Sequence, residues 1–196
     1  MSQLTSVQEV TLVGPLAAPR AKWPEPCIFI DGGSRHQGQS PLHISVGDGD
    51  SSVEQVDHLL PAAKDFSDLA YVLRHMPQHL SRLSMVGFLG GRRDHELINL
   101  GEIHRFLCTR PKPTECDLDW SVCGFSAGKW PLQLKGVFSV VALEPTQLTM
   151  TGDCAYPLPV ATPLGVLSSH GLSNEGFGIV EIRNDGPVFV FKNPFS

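Results

Sequence analysis

The sequence contains no Cys-x-x-Cys pair, no run of basic residues and no long apolar stretch. Its five cysteines are an odd number at wide spacings, which argues against a zinc site and favours scattered free thiols. Fifteen basic against twenty acidic side chains leave a formal charge of −5, which disfavours a nucleic-acid partner because such a partner needs a basic face. No stretch approaches the ~20 apolar residues of a membrane span. We therefore expect neither nucleic-acid binding nor membrane association.

The overall composition is that of a globular protein. Apolar residues make up 41% and charged residues 18% of 196 residues, enough for one large domain or two small ones. The first ten residues are polar and lack the basic-then-apolar order of a signal peptide. Together with the free thiols, this predicts a cytoplasmic protein.

Short apolar runs alternate with helical periodicity over roughly the first 110 residues, a pattern typical of a parallel sheet with helices on its faces. We therefore predict that residues 1–112 form an α/β domain with a mostly parallel, Rossmann-like sheet. The predicted strands are residues 10–13, 27–30, 44–46 and 83–89, and the predicted helices are residues 65–80 and 94–107.

The second half of the chain has a different pattern. Residues 110–113, Arg-Pro-Lys-Pro, indicate a linker. Beyond them no segment has clear helical periodicity, and short β-rich runs are separated by Gly, Pro, Ser and Asn. This pattern predicts a small all-β sandwich or barrel over residues 113–196.

Two acidic residues follow the third predicted strand directly. Asp48 and Asp50 are separated by one residue, so both carboxylates can approach one ion from a single loop. Mg²⁺ prefers a few carboxylate oxygens and takes water or substrate phosphate for the rest. Because ligands of doubly wound sheets lie beyond the carboxyl ends of the strands, this position suits a metal site. Taken alone, the segment also fits an ordinary turn whose acids face water.

A glycine-rich turn follows the fourth predicted strand. Gly90 and Gly91 permit positive φ and close approach to a ligand, and Arg92 can form paired hydrogen bonds with a phosphate. The helix that begins near Asp94 adds a positive dipole end, and His95 can contact either a phosphate or the neighbouring loop. The spacing matches neither a Walker loop nor the dinucleotide-binding fingerprint. A tight turn with an exposed basic pair fits these residues as well.

Two further segments carry polar groups suited to a ligand. Lys64 and Asp68 flank one helix start, where lysine can contact phosphate and the acid can join a metal, although first-turn acids also stabilise helices unaided. Ser173 and Asn174 could offer a hydroxyl and an amide to a polar heterocycle, or could form a plain β-turn.

Taken in order, these motifs resemble those of the thiamine pyrophosphokinase family, over residues 10–192. The resemblance implies an N-terminal domain that binds ATP and Mg²⁺ and a C-terminal sandwich that binds thiamine. It also implies a homodimer with the active site at the subunit interface, and transfer of pyrophosphate from ATP to thiamine with release of AMP. The matching segments are Asp31-Gly32-Gly33, Gly47-Asp48-Gly49-Asp50-Ser51, Lys64-Asp65-Phe66-Ser67-Asp68, Gly90-Gly91-Arg92-Arg93-Asp94-His95, Thr151-Gly152 with Tyr156-Pro157-Leu158, and Gly171-Leu172-Ser173-Asn174-Glu175.

The same resemblance implies a role for individual residues. The metal ligands are Asp48, Asp50 and Asp68, and the catalytic set adds Arg92 and Asp94. The ATP-binding residues are Asp31, Gly32, Lys64, Gly90, Gly91, Arg92 and His95. Ser173 and Asn174 lie in the thiamine pocket, for which Tyr156 and Phe177 are candidate aromatic partners.

The chain also departs from the family pattern. Gly49 stands between the two acids where the family has a bulky residue, and Leu42-His43 follows Pro41 where the family commonly has Asp. Residues 34–43 are slightly fewer than the dozen or so residues that a parallel crossover needs, which predicts an irregular connection. These departures leave two alternatives to thiamine pyrophosphokinase activity. The protein could transfer pyrophosphate to another hydroxymethyl heterocycle such as a pterin, or it could bind a nucleotide without catalysis.

Overall fold

The chain divides into two compact units, residues 1–106 and residues 107–196. The structure, a computed structural model, describes residues 4, 6–39, 43–49 and 56–193. Each unit contains its own cluster of buried apolar side chains. In the N-terminal unit Trp23 and Phe29 belong to this cluster, and in the C-terminal unit Phe125, Phe138 and Val180 do.

The N-terminal unit is built on parallel strands. The strands are β1 (Glu9–Val13), β2 (Cys27–Ile30), β3 (His43–Gly47), β4 (His58–Leu59) and β5 (Arg82–Val86). β1 pairs with β2 and β5, and β3 pairs with β2 and β4, all in parallel. Every residue of β2 is buried, as its continuous apolar run predicts.

Two α-helices lie in the predicted regions. Helix α1 (Asp68–Arg74) begins after Ser67, whose Oγ accepts a hydrogen bond from the Ala70 N–H at 3.1 Å, and it is shorter than predicted. Helix α2 (Arg93–Cys108) agrees with the prediction to within a residue at each end. The connection after β2 is a 3-10 helix (Asp31–Gln39), in line with the irregular link that its length predicts. Among the described residues, no helix combines the length and apolar character needed to cross a membrane.

Gly33, in the 3-10 helix, packs against β1 with no room for a side chain. A Cβ there would meet the Val13 carbonyl oxygen inside van der Waals contact. We expect Gly33→Ala to lower the free energy of unfolding by ~1–3 kcal/mol, as overpacking does. Gly101→Ala in α2 is the matched control, because its Cβ would reach only Arg105 at 3.9 Å. That change should stabilise the helix by about 0.5–1 kcal/mol. Equal changes in the free energy of unfolding for Gly33→Ala and Gly101→Ala, measured by urea unfolding, would contradict the close packing of Gly33 against β1.

The C-terminal unit is antiparallel. The strands are β6 (Glu115–Leu118), β7 (Val122–Phe125), β8 (Gly128–Ala142), β9 (Thr146–Cys154), β10 (Leu158–Leu164), β11 (Asn174–Asn184) and β12 (Val188–Lys192), and a 3-10 helix (Ser169–Gly171) precedes β11. The longest strand, β8, pairs with β11 along eleven residues and with β12 along five.

The predicted fold class, a Rossmann-like α/β domain followed by a separate all-β sandwich, was wrong. The described strands form one mixed sheet of twelve strands, in the order β10-β9-β11-β8-β12-β7-β6-β5-β1-β2-β3-β4. The three prolines of residues 17–26 and the short link after β2 prevent the regular α-helical crossovers of a Rossmann sheet. In the second half, β8 pairs with β11 along Gly128–Phe138 and with β12 along Phe138–Ala142, so one continuous strand joins both groups of strands into the same sheet.

Candidate active site

Three carboxylates meet where the parallel strands of the N-terminal unit end. Asp31 follows β2, Asp48 follows β3, and Asp68 opens α1. One carboxylate oxygen from each lies within 4.8 Å of the others. All three side chains are only partly exposed. Such close acids repel one another unless a cation lies near them.

Lys64 supplies a positive charge to this cluster. Its Nζ lies 3.1 Å from Asp68 Oδ1 and 3.4 Å from Asp48 Oδ2. Burial lowers the pKa of Lys64, but the contacts with Asp68 and Asp48 outweigh burial and raise it above its usual value. Burial raises the pKa of Asp68; Lys64 opposes this effect, while Asp31 and Asp48 add to it. The pKa of Asp68 therefore stays above its usual value.

The backbone around Asp31 is shaped to bring its carboxylate into the cluster. Asp31 has φ +52°, a left-handed conformation that costs energy for a residue with a side chain. The opposite loop approaches closely because position 47 is glycine: a Cβ there would lie 3.3 Å from the Asp31 Cα. Gly32 is buried, and its carbonyl accepts a hydrogen bond from Arg35 Nε at 2.6 Å. Asp31, which its motif assigns to ATP binding, also belongs to the carboxylate cluster.

The cluster matches the donor set of a hard divalent cation, because it offers three carboxylate oxygens that lie within 4.8 Å of one another. Of the three acids predicted as metal ligands, Asp48 and Asp68 come together there. Asp50 lies outside the described residues, as do Pro41 and Leu42.

A cavity of ≈290 Å³ adjoins the cluster. Lys64 and His95 line it, as do Phe66 and Phe88, which offer apolar surface. Asn99 also lines it and was missed by the sequence analysis; its Nδ2 donates to the Phe88 carbonyl at 2.9 Å. The available signal was the helical spacing, since residues 95 and 99 are four apart on α2 and share a face.

The glycine-rich turn has the backbone that its sequence predicts. Gly90 and Gly91 have φ +86° and +70°. Arg92 and Asp94 are exposed and pair with each other, with Nε 3.2 Å from Oδ1 and a second, shorter contact from Nη2 to Oδ2. This pairing with Arg92 lowers the pKa of Asp94 to about 2. Arg92 thus faces solvent with its charge fixed in place by Asp94.

A set of hydrogen bonds between Ser45 and Asp57, here called the clasp, joins β3 to the residue that precedes β4. The Ser45 N–H and Oγ–H both donate to Asp57 Oδ2, at 2.7 and 2.8 Å, and the Asp57 N–H donates to Ser45 Oγ at 2.9 Å. Burial raises the pKa of Asp57, but the hydrogen bonds from Ser45 outweigh it, with help from His43 and His58, and lower it overall. The carboxylate takes the place of a strand partner where β4 is too short to supply one.

We expect Asp57→Asn to lower the free energy of unfolding by ~1 kcal/mol near neutral pH, since the hydrogen bonds lose their charged acceptor. A folded-state pKa below the ordinary 3.8 means that the stabilisation is complete above pH 3.8 and is lost as pH falls through the folded value. Urea unfolding on both sides of pH 3.8 measures this difference. Asp65→Asn, the same change at an exposed position, is the control. A difference between Asp57→Asn and wild type that persists in acid would contradict the clasp.

The C-terminal unit contains a second cavity, of ≈400 Å³. Tyr156, His170, Ser173 and Asn174 are among the residues that line it. Ser173 is exposed and has φ +57°, whereas Asn174 is buried. Of the two aromatic candidates, Tyr156 lines this cavity and Phe177 lies on the exposed face of β11.

Solved structures of similar architecture come from bacteria and a fungus. A thiamine pyrophosphokinase from Bacillus subtilis superposes with a TM-score of 0.68 at 22% identity, covering 94% of this chain and 98% of that one. The enzyme from Geobacillus thermodenitrificans superposes with a TM-score of 0.67 at 19% sequence identity, covering 96% of this chain and 99% of that one. The enzyme from Candida albicans superposes with a TM-score of 0.66 at 12% sequence identity, covering 93% of this chain and 88% of that one. The chain has the fold of the thiamine pyrophosphokinases. No family model and no curated protein sequence matches it.

The thiamine pyrophosphokinase resemblance is therefore confirmed at the level of the fold. One departure from the family motif now has a structural basis. Gly49 has φ +84°, a conformation that disfavours the bulky residue of the family. The backbone at position 49 is thus in a conformation that favours glycine.

Proposed function

We propose that the protein is a thiamine diphosphokinase, which transfers pyrophosphate from ATP to the thiamine hydroxyl and releases AMP. The observation that carries this proposal is the cluster of Asp31, Asp48 and Asp68 around Lys64, at the strand ends of a thiamine pyrophosphokinase fold. In this proposal residues 1–112 bind ATP and residues 113–196 bind thiamine. The enzyme works in the cytoplasm as a homodimer with its active site at the subunit interface.

Mg²⁺ is the cation that suits the cluster. We propose that Asp48 and Asp68 hold it together with Asp50, and that Asp31 completes the set of oxygens. Bound there, Mg²⁺ would neutralise charge on the phosphate oxygens and help to orient them. The donor chemistry supports the assignment, because hard oxygen ligands without thiol or imidazole favour Mg²⁺ over softer metals.

Two basic groups would hold the phosphates. Lys64 offers a compact positive charge beside the carboxylates, and Arg92 offers a planar guanidinium suited to two phosphate oxygens. Asp94 keeps Arg92 oriented before ATP arrives. The backbone of Gly90 and Gly91 allows close approach, and His95 faces the adjoining cavity. These groups position the phosphates and balance their charge, which is most of what phosphoryl transfer requires of a protein.

The reaction itself is an in-line displacement. The thiamine hydroxyl oxygen forms a bond to the β-phosphorus of ATP while the bond from that phosphorus to the α,β-bridging oxygen breaks. The electron pair stays on the bridging oxygen, which leaves with AMP, and the hydroxyl proton is released. Lys64 and Arg92 would stabilise the charge that grows on the departing oxygen.

The C-terminal cavity is the proposed thiamine site. Its volume of ≈400 Å³ lies within the range of small-molecule sites, and it combines the exposed Tyr156 ring with the polar Ser173. A flat heterocycle can stack on such a ring while its polar edge meets the hydroxyl.

A competition between acceptors tests the proposal. The purified protein would be incubated with ATP, Mg²⁺ and equal concentrations of thiamine and a hydroxymethyl pterin, and the products separated by chromatography. We expect AMP together with thiamine diphosphate. Pterin diphosphate as the main product would instead support pyrophosphate transfer to another heterocycle. ATP binding without AMP formation would support a non-catalytic nucleotide-binding protein.

A further inference from the structure

The side-chain amide of Asn174 makes all of its hydrogen bonds to other groups of the protein. Its side chain is 4% exposed. Nδ2 donates to the Tyr156 carbonyl at 2.8 Å and contacts Met150 Sδ at 3.5 Å. Oδ1 accepts from the N–H groups of Tyr156 and Glu175, at 3.0 and 2.8 Å. An asparagine side chain has two donors and two acceptor sites, so this one has none left for a ligand.

These bonds fix the segment that carries Tyr156. The amide of Asn174 pairs with both backbone groups of Tyr156, as a neighbouring strand would. The Ala155 N–H adds a bond to the Glu175 carbonyl at 2.9 Å. The backbone of Tyr156 is thus hydrogen-bonded to the start of β11, while the residue as a whole is 68% exposed and lines the C-terminal cavity. A held backbone with a projecting ring is the arrangement expected of a stacking platform.

We infer that Asn174 is a positioning residue, which holds Tyr156 as the wall on which the acceptor's heterocyclic ring stacks, and that Asn174 does not touch the acceptor. The acceptor part of this inference rests on the proposed function, whereas the link between Asn174 and Tyr156 does not. The role of Asn174 thus changes from contact with the substrate, which its motif implies, to support of Tyr156.

Fluorine NMR of the ligand-free protein tests the link. The chain has two tyrosines, Tyr71 and Tyr156, so 3-fluorotyrosine labelling gives two signals that Tyr156→Phe assigns. Asn174→Asp keeps the acceptor oxygens but loses the donor to the Tyr156 carbonyl. We expect the Tyr156 signal to shift and broaden and the Tyr71 signal to stay unchanged. Ser173→Ala, which leaves these bonds intact, should move neither. An unchanged Tyr156 signal in folded Asn174→Asp would overturn the inference.

A measurement on the wild type covers the case in which Asn174→Asp fails to fold. The Tyr156 N–H should exchange with solvent slowly, because Asn174 Oδ1 accepts its hydrogen bond. Exchange at the rate of an open loop would overturn the inference.

A double-mutant cycle on thiamine affinity tests the role in binding. Asn174→Asp and Tyr156→Ala should each weaken thiamine binding by about tenfold, and the double variant should be no weaker than Tyr156→Ala, as coupled residues behave. The effects of Ser173→Ala and Tyr156→Ala on thiamine affinity should be additive.

Steady-state kinetics give a second measurement. In Asn174→Asp the KM for thiamine should rise while the KM for ATP stays constant. Additive effects of Asn174→Asp and Tyr156→Ala would overturn the inference. A wild type that binds no thiamine would refute the proposed acceptor, and the NMR result would still decide the link.

Discussion

Asp48→Asn is expected to lower kcat for pyrophosphate transfer by ~10²–10³, the cost of removing one group that stabilises developing charge. Asp48 lies within 4.8 Å of the Asp31 and Asp68 carboxylates and 3.4 Å from the Lys64 ammonium. Its replacement removes one anionic ligand from the metal and one partner from the lysine. The asparagine has nearly the same shape, so the fold should survive. Steady-state formation of AMP measures the change.

Asp185→Asn is the control for this experiment. It makes the same change of charge at an exposed position in the C-terminal unit, where Asp185 accepts a hydrogen bond from the Gln147 N–H. Its kcat should equal that of the wild type. Binding of Mn²⁺, followed by electron paramagnetic resonance without nucleotide, should weaken in Asp48→Asn alone. Unchanged kcat and unchanged Mn²⁺ affinity in Asp48→Asn would show that the cluster does not bind the metal.

Lys64→Met is expected to lower the free energy of unfolding by ~1–3 kcal/mol at neutral pH, because it leaves close carboxylates without their compensating charge. The largely buried Lys64 ammonium contacts both Asp48 and Asp68. Movement of one carboxylate in the variant would therefore still leave the other without its positive partner. It should also raise the KM for ATP, since a phosphate contact is lost. Urea unfolding and ATP titration measure the two effects.

The pH dependence of Lys64→Met has a definite sign. The pKa of Lys64 is raised in the folded state, so its stabilisation is complete below the ordinary value of 10.5 and disappears as pH rises through the folded value. The stability difference between wild type and variant should therefore vanish in strong alkali. Lys129→Met is the matched control, since its pair with Glu181 is exposed and should contribute less than ~1 kcal/mol. Equal losses in the two variants would contradict the buried charge cluster.

Local patterns in the sequence were sufficient to predict the helices and strands whose own apolar residues determine their structure. The apolar stripe predicted α2 to within a residue, and the continuous apolar run predicted the buried strand β2. The motif order brought Asp48, Lys64 and Asp68 to one region because each follows a strand or opens a helix at the same edge.

The rest depends on contacts between distant residues, which periodicity does not encode. Whether two groups of strands share one sheet is decided by which strands pair, and here successive stretches of β8 pair with β11 and with β12. Asp31 joins the carboxylates through a left-handed backbone conformation, which residues other than glycine adopt uncommonly. Asn174 looked like a ligand because its motif is polar, yet its partner Tyr156 is eighteen residues away.

The central claim is transfer of an intact pyrophosphoryl group from ATP to thiamine. The most direct test is the ratio of AMP to thiamine diphosphate formed by the purified protein with Mg²⁺. The account predicts equal amounts of the two products, with both lost together in Asp48→Asn. Release of ADP in place of AMP, or AMP without thiamine diphosphate, would contradict it.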